Sequence, residues 1–493
     1  MERFKNYING EWVKANTDSY FQNVSPANND DIIGEFPDSD LVDVNNAVKI
    51  AKEAFKKWKL MPAPKRGDIL RKAGDIFTRR KQELARIMTR EMGKPTFETE
   101  GDVQEAIDTA YYAAAETRRL FGQTAPSELN NKMNMTFRVP IGVCGIITAW
   151  NFPVAVPSWK ILPALAAGNT VVYKPSEEAP HSGVIFAEIL EEAGLPKGVF
   201  NVIFGKEITG SAMVNHPDIN LVGFTGSTEV GKKIAEICGR TNKKCSLEMG
   251  GKNAQIILND ANLELAVEGA LWGAFGTTGQ RCTATSRLII EKGIYEEVIN
   301  ILKNRAEQLI LGDGLKADTQ VGPLIHHQSL QNCENFVKIA VEEGGKLICG
   351  GKRATTGNLL KGSFFEPTII ADVTKDMTIF NEEVFGPVLS ISKAENYDDA
   401  IELQNHCKYG LSSSLYTRNV NYAFRAIRDI EAGITYINAP TIGAEAHMPF
   451  GGIKGTGNGH REGGWTVFDI FTEWKTVYVD FSDQLQRAQI DNY

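Results

Sequence analysis

From residue 142 the chain alternates short, almost wholly apolar runs with amphipathic stretches, and this alternation restricts the fold more than any other feature. The runs are VCGIITAW (143–150), TVVYK (170–174), VFNVIF (199–204) and INLVGF (219–224), with helical periodicity over Ser182–Ala193 and Thr228–Ile237. A strand with one wet face alternates apolar and polar residues. Runs without that alternation belong to a sheet covered on both faces, and helices between them make the connections parallel crossovers. The prediction is a doubly wound, Rossmann-like α/β domain whose ligand crevice lies at the carboxyl ends of its strands. A second α/β region is predicted from SRLIIE (286–291), a helix over Tyr295–Leu309, FFEPTII (364–370), a helix over Asp398–Cys407 and GITYIN (433–438). Ahead of both, Val44, Ala47, Val48, Ala51, Phe55 and Trp58 recur at helical spacing. Further helices are expected over Arg66–Arg90 and Thr99–Leu120. The closing run KTVYVDF (475–481) reads as a strand that must pair, and a second subunit is its expected partner.

Composition narrows the function. The 493 residues carry 53 basic and 61 acidic side chains, a net charge of −8, with no basic patch to neutralise phosphates, so nucleic acid is not an expected partner. Residues 141–169 are apolar enough to suggest a membrane span. Asn151, Pro153, Pro157, Lys160 and Pro163 interrupt them, and strand, loop and buried helix are expected instead. The N-terminal MERFKNYINGEW lacks a signal-peptide core. Seven scattered cysteines without C-x-x-C fit a reducing cytoplasm better than a disulfide framework, and no metal site is expected.

Five short segments carry the candidate chemistry. In FGTTGQRCTATS (275–286), Cys282 sits among Gly, Thr and Ser, where nothing reads as core, and the neighbouring Arg281 would favour a thiolate. CSLEMGGKNA (245–254) sets Glu248 at a strand end before two glycines that permit close approach. FTGSTEVG (224–231) is a strand-to-helix turn whose N–H groups suit a pyrophosphate. VVYKPSEEAP (171–180) brings Lys174 and Glu177 to another strand end, where they suit a ribose or phosphate. AWNFP (149–153) offers the Asn151 amide as an oxyanion donor. In isolation each has a plainer explanation as turn, core or surface charge.

Together, AWNFP, KPSE, FTGSTEVG, LEMGGKN, GQRC, EEVFGPV and PFGGIKGTGNG, in this order along the chain, resemble the aldehyde dehydrogenase superfamily. The resemblance implies that Cys282 attacks the aldehyde carbonyl and that Asn151 and the Cys282 N–H hold the oxyanion. It implies that Glu248 activates the water that hydrolyses the thioester. It assigns Lys174 and Glu177 to the adenosine ribose and Ser227 to the pyrophosphate. Glu383 falls to the nicotinamide ribose, Phe385 to the nicotinamide ring, and Trp150 to the cofactor site. Glu177 would repel a 2′-phosphate and so favours NAD, with NADP still possible. The segment 438–452, with its GAE, is similar to enzymes acting on 2-aminoadipate 6-semialdehyde. MPAPKRGDILRKAG (61–74) and CTATSRL (282–288) resemble enzymes acting on 2,5-dioxopentanoate. Both substrates are carboxylate-bearing semialdehydes, with Arg281 the candidate for the far carboxylate or else a residue that tunes the loop. The implied domains are 1–121 with 139–250 for NAD, 251–440 for catalysis, and 122–138 with 472–493 for assembly into a homodimer or homotetramer. CoA-acylating and NADP-preferring relatives are the alternatives. A cofactor-free cysteine hydrolase would need a histidine partner that the sequence does not offer. A non-catalytic protein of the same fold would have no use for Cys282, Glu248 and Asn151. One departure is His460, inserted before Arg461-Glu462, which leaves any implied role for Arg461 open.

Overall fold

The computed structural model describes residues 2–490; Met1 and residues 491–493, the last of the predicted assembly segment, lie outside the described residues. The first sheet has seven strands, running edge to edge Lys244–Glu248, Leu221–Thr225, Val143–Ile147, Thr170–Lys174, Phe200–Val202, Asn6–Ile8 and Glu11–Val13. The first five are parallel, as the unbroken apolar runs require. Their side chains alternate between two separate cores. Cys144, Ile146, Val171 and Tyr173 face the helices Ala63–Arg79, Thr96–Glu116, Ala155–Ala167 and Pro180–Glu192. Val143, Val172 and Val222 face Leu41–Trp58, Glu207–Asn215 and Thr228–Thr241. Both faces are therefore dry, which is what the sequence pattern demands.

The second sheet also has seven strands, in the order Lys346–Cys349, Thr368–Ala371, Val388–Ala394, Thr285–Glu291, Asn253–Ile257, Ser412–Tyr416 and Ile434–Ile437, parallel except at the first pair. The apolar stretch 141–169 is a strand, a loop and the helix Ala155–Ala167, which is buried along its whole length. Among the described residues no helix is long and apolar enough to cross a membrane.

Three elements differ from expectation. The segment Arg66–Arg90 is two helices, Ala63–Arg79 and Lys81–Met92, because Arg80 leaves helical dihedrals (φ −94°, ψ 11°) and sends its guanidinium to Glu83 and Glu188. The polar N-terminus forms an antiparallel hairpin that extends the first sheet. Asn9 (φ 56°) and Gly10 (φ 71°) supply the two positive φ angles of a tight hairpin turn. The tail strand Thr472–Asp480 finds its partner within its own chain: it pairs residue for residue with Lys132–Pro140, which in turn pairs with Thr124–Pro126. The resulting three-stranded sheet leaves Trp474, Tyr478, Phe137 and Met133 exposed.

Candidate active site

Cys282 follows a tight turn, Gly276–Gly279, in which Thr277 (φ 51°), Thr278 (φ 58°) and Gly279 (φ 68°) all adopt left-handed backbone. Such strain persists only where the surroundings enforce it. Glu98 does most of the enforcing. Its Oε1 accepts from the Thr277 N–H (2.9 Å) and its Oε2 from the Thr277 hydroxyl (2.5 Å), while Thr278 Oγ1 donates to the Gly322 carbonyl (3.0 Å). At Gly279 a Cβ would lie 2.1 Å from the Gly386 carbonyl oxygen, so only glycine fits. Beyond the cysteine, Asn253 Nδ2 donates to the carbonyls of Cys282 (2.7 Å) and Ala284 (2.9 Å). The turn is held from both sides.

Burial, then the charges of Glu248 and Glu383, push the Cys282 thiol up to about 12. Arg281 does not offset them, because it turns away from the sulfur: Nη2 meets Glu98 Oε2 at 2.5 Å, Nε donates to Thr277 Oγ1 at 2.9 Å, and the guanidinium lies 4.7 Å from the Trp272 ring centroid. The expectation that Arg281 ionises the cysteine is therefore corrected. Its charge is committed to a carboxylate that lies 183 residues earlier in the chain.

Glu248 ends the strand Lys244–Glu248, and its buried carboxylate has no hydrogen-bond partner on either oxygen among the described residues. Burial pushes it up to about 8 against the opposing charges of Lys160 and Arg461. Gly451 makes room for it: a Cβ there would come within 2.6 Å of Oε1. Lys160, noticed in the sequence only as an interruption of an apolar stretch, is itself buried. It pairs with Glu462 and donates to the Phe224 carbonyl at 3.3 Å. Burial pulls Lys160 down to about 7. The His460 insertion is absorbed in the loop: Phe450 and Glu462 exchange backbone hydrogen bonds, and the Arg461 charge acts on Glu248. A lysine inside an otherwise apolar helix was the available signal for this pair, since buried charges are rarely retained without a partner.

Asn151 lies between the two domains. Its Nδ2 donates to the Gln280 carbonyl (3.1 Å), two residues before Cys282. Its backbone carbonyl accepts from Lys94 Nζ (3.1 Å), which is paired with Asp102 at 2.6 Å.

The predicted dinucleotide residues gather at the carboxyl edge of the first sheet. Lys174 Nζ, buried at the end of its strand, is 3.4 Å from Glu177 Oε2. Ser227 is the N-cap of Thr228–Thr241 and accepts from the Val230 N–H; the N–H groups of Thr228 and Glu229 have no partner among the described residues. Glu383 accepts from the Gly251 N–H at 3.0 Å, and burial pushes it up to about 7. Gly250 keeps this corner open, since a Cβ there would sit 2.4 Å from Glu383 Oε2 and 3.3 Å from Thr228 Oγ1. Trp150 meets Phe385 edge-on, 5.6 Å between centroids. Free helix-terminal N–H groups, a lysine and two acids suit a dinucleotide. A cavity of about 670 Å³ is lined by Phe152, Arg281, Glu105, Tyr112, Ile442 and Glu445. Part of the segment 438–452 thus contributes to its wall.

A doubly wound sheet with such groups at its carboxyl edge and a reactive residue type beside them defines a dinucleotide-dependent oxidoreductase. Comparison with known proteins makes this specific: residues 12–477 match the aldehyde dehydrogenase family, and the chain belongs to it. It is 41% identical to the alpha-ketoglutaric semialdehyde dehydrogenase of Bacillus subtilis, over 97% of this chain and 98% of that one. It is 38% identical to the 2,5-dioxopentanoate dehydrogenase of Saccharolobus solfataricus, over 95% and 98%. The crystal structure of an NAD-dependent aldehyde dehydrogenase from Sinorhizobium meliloti superposes with a TM-score of 0.95 at 35% identity, covering 98% of this chain and 96% of the other. The protein is an NAD(P)-dependent oxidoreductase that converts aldehydes to carboxylic acids.

Proposed function

We propose that the protein oxidises a carboxylate-bearing semialdehyde with NAD, through a covalent intermediate on Cys282. The observation that carries the mechanism is the buried, unpartnered carboxylate of Glu248, whose charge reaches the Cys282 sulfur. With the thiol near 12, attack on the carbonyl has to be coupled to loss of the thiol proton. That proton passes to solvent, so Glu248 stays free for the hydrolytic step. The tetrahedral oxyanion on the substrate is stabilised by the second N–H of Asn151 Nδ2, the first remaining on Gln280, and by the Cys282 N–H. Bound NAD supplies the hydride acceptor. Lys174, Glu177, the helix terminus at Ser227, and Glu383 hold and orient it, with Trp150 and Phe385 at the nicotinamide end. Glu248 then takes a proton from the water that cleaves the Cys282 thioester, and the Lys160–Glu462 pair, whose lysine feels the Glu248 charge, supports release of that proton to solvent.

The substrate class is supported by the names of two relatives, both semialdehyde or oxo-acid dehydrogenases. Arg281 lines the cavity and can share a substrate carboxylate alongside its pair with Glu98. Assembly as a homodimer or homotetramer through the sheet of 124–140 and 472–480 is supported by its exposed aromatics. The seven free cysteines suit the cytoplasm. A panel of acidic and neutral aldehydes, assayed with NAD and NADP and with and without CoA, tests the whole assignment. Acidic semialdehydes with NAD and no CoA requirement should show the highest kcat/KM; a preference for neutral aldehydes would reject the substrate class.

A further inference from the structure

Lys94 and Asp102 are both without solvent exposure, and their charges meet at 2.6 Å. Burial opposes both charges, pulling Lys94 down and pushing Asp102 up. Replacing such a pair by apolar residues is often neutral or stabilising, so stability alone does not account for it. Its contacts point elsewhere. Lys94 Nζ donates to the Asn151 carbonyl at 3.1 Å and stands 3.8 Å from the centroid of the Phe152 ring. Asp102 Oδ1 accepts from the Ala155 N–H at 2.7 Å. One ion pair therefore grips the loop 151–155 at both ends. The other side of Asn151 is equally fixed: its amide donates to the Gln280 carbonyl, and the Gln280 carboxamide accepts from the Ile325 N–H (2.9 Å) and donates to Thr277 and Pro323 carbonyls (3.3 Å each).

We propose that the Lys94–Asp102 pair is a positioning device for the Asn151 amide, fixing the backbone of residues 151–155 so that the amide stays within reach of the carbonyl that forms its bond to Cys282. This rests on the assignment of Asn151 as oxyanion donor. Neither Lys94 nor Asp102 touches the reacting atoms; both act through the loop. Misplacing a donor by about 1 Å costs on the order of 10²-fold in rate, and losing it altogether costs about 10²–10³-fold.

The test is a double-mutant cycle on the full enzyme, read as the rate of the first-turnover burst of reduced NAD. Lys94→Met with Asp102→Leu removes both charges and leaves no unpaired ion; Asp102→Asn, nearly isosteric, is the second variant. NAD binding by fluorescence quenching and Tm report folding. In the Asn151 enzyme either change should slow the burst by about 10- to 100-fold with the Kd for NAD unchanged. In an Asn151→Ala background the same changes should slow it by less than about threefold, because the group they position is gone. Equal losses in both backgrounds, or no loss with Asn151 present, would overturn the proposal. An Asn151→Ala enzyme with a normal burst would instead reject the oxyanion assignment on which it rests.

Discussion

Glu248→Gln separates the two halves of the catalytic cycle. The substitution keeps the shape of the side chain and removes its charge and basicity. With the native carboxyl near 8, only about one-tenth of the enzyme carries the ionised base at pH 7 and about nine-tenths at pH 9. Thioester hydrolysis in the native enzyme should therefore rise about tenfold across that interval, since the deprotonated form is the active one and accumulates as pH climbs through 8. The Gln variant should lose about 10²–10⁴-fold in steady-state turnover and lose the pH limb with it. It should keep a burst of reduced NAD of about one equivalent per active site. A second consequence follows from the same electrostatics. The Glu248 charge helps raise the Cys282 thiol, so its removal should speed alkylation of Cys282 by iodoacetamide at fixed pH. Stopped-flow absorbance at 340 nm, at pH 7 and pH 9, measures burst and steady state together. A variant that turns over at the native rate, or that follows the native pH limb, would remove Glu248 as the base.

Other perturbations test the scaffold. Glu98→Ala leaves the half-buried Arg281 without its partner and frees Thr277, and should destabilise by about 3 kcal/mol in chemical denaturation; a change below about 1 kcal/mol would mean that the turn holds itself. Gly279→Ala places a Cβ 2.1 Å from the Gly386 carbonyl oxygen at a φ of 68°, and should cost about 2–4 kcal/mol, visible as a lowered Tm and a slowed burst. Glu177→Gln removes the like charge facing a 2′-phosphate and should shift the ratio of kcat/KM values about five- to tenfold toward NADP; no shift would place the discrimination elsewhere. Truncation after Phe471 removes the strand Thr472–Asp480 and should reduce the mass measured by light scattering to that of a monomer.

The parallel strands were readable because burial on both faces leaves no polar positions, as Val171–Tyr173 illustrate. The Asn6–Val13 hairpin was not read as strand, since each of its strands is only three residues long and only the Asn-Gly dipeptide marks the turn. At the site, Cys282, Glu248 and Ser227 were legible because each sits in a run of small residues or at a strand end, a local pattern. The direction of Arg281 was not, because Glu98 decides it from 183 residues away. Likewise the Lys160–Glu462 pair spans 302 residues, and only tertiary packing brings the two charges together. Local sequence thus marked the candidate groups for chemistry, while the charges that hold or tune them are long-range.

The covalent role of Cys282 is tested most directly by rapid quenching of the Glu248→Gln enzyme after one turnover, followed by peptide mass spectrometry. The peptide containing Cys282 should gain the mass of the substrate acyl group in proportion to the NAD reduced. Reduced NAD with an unmodified Cys282, or acylation of one of the other six cysteines in its place, would contradict the mechanism.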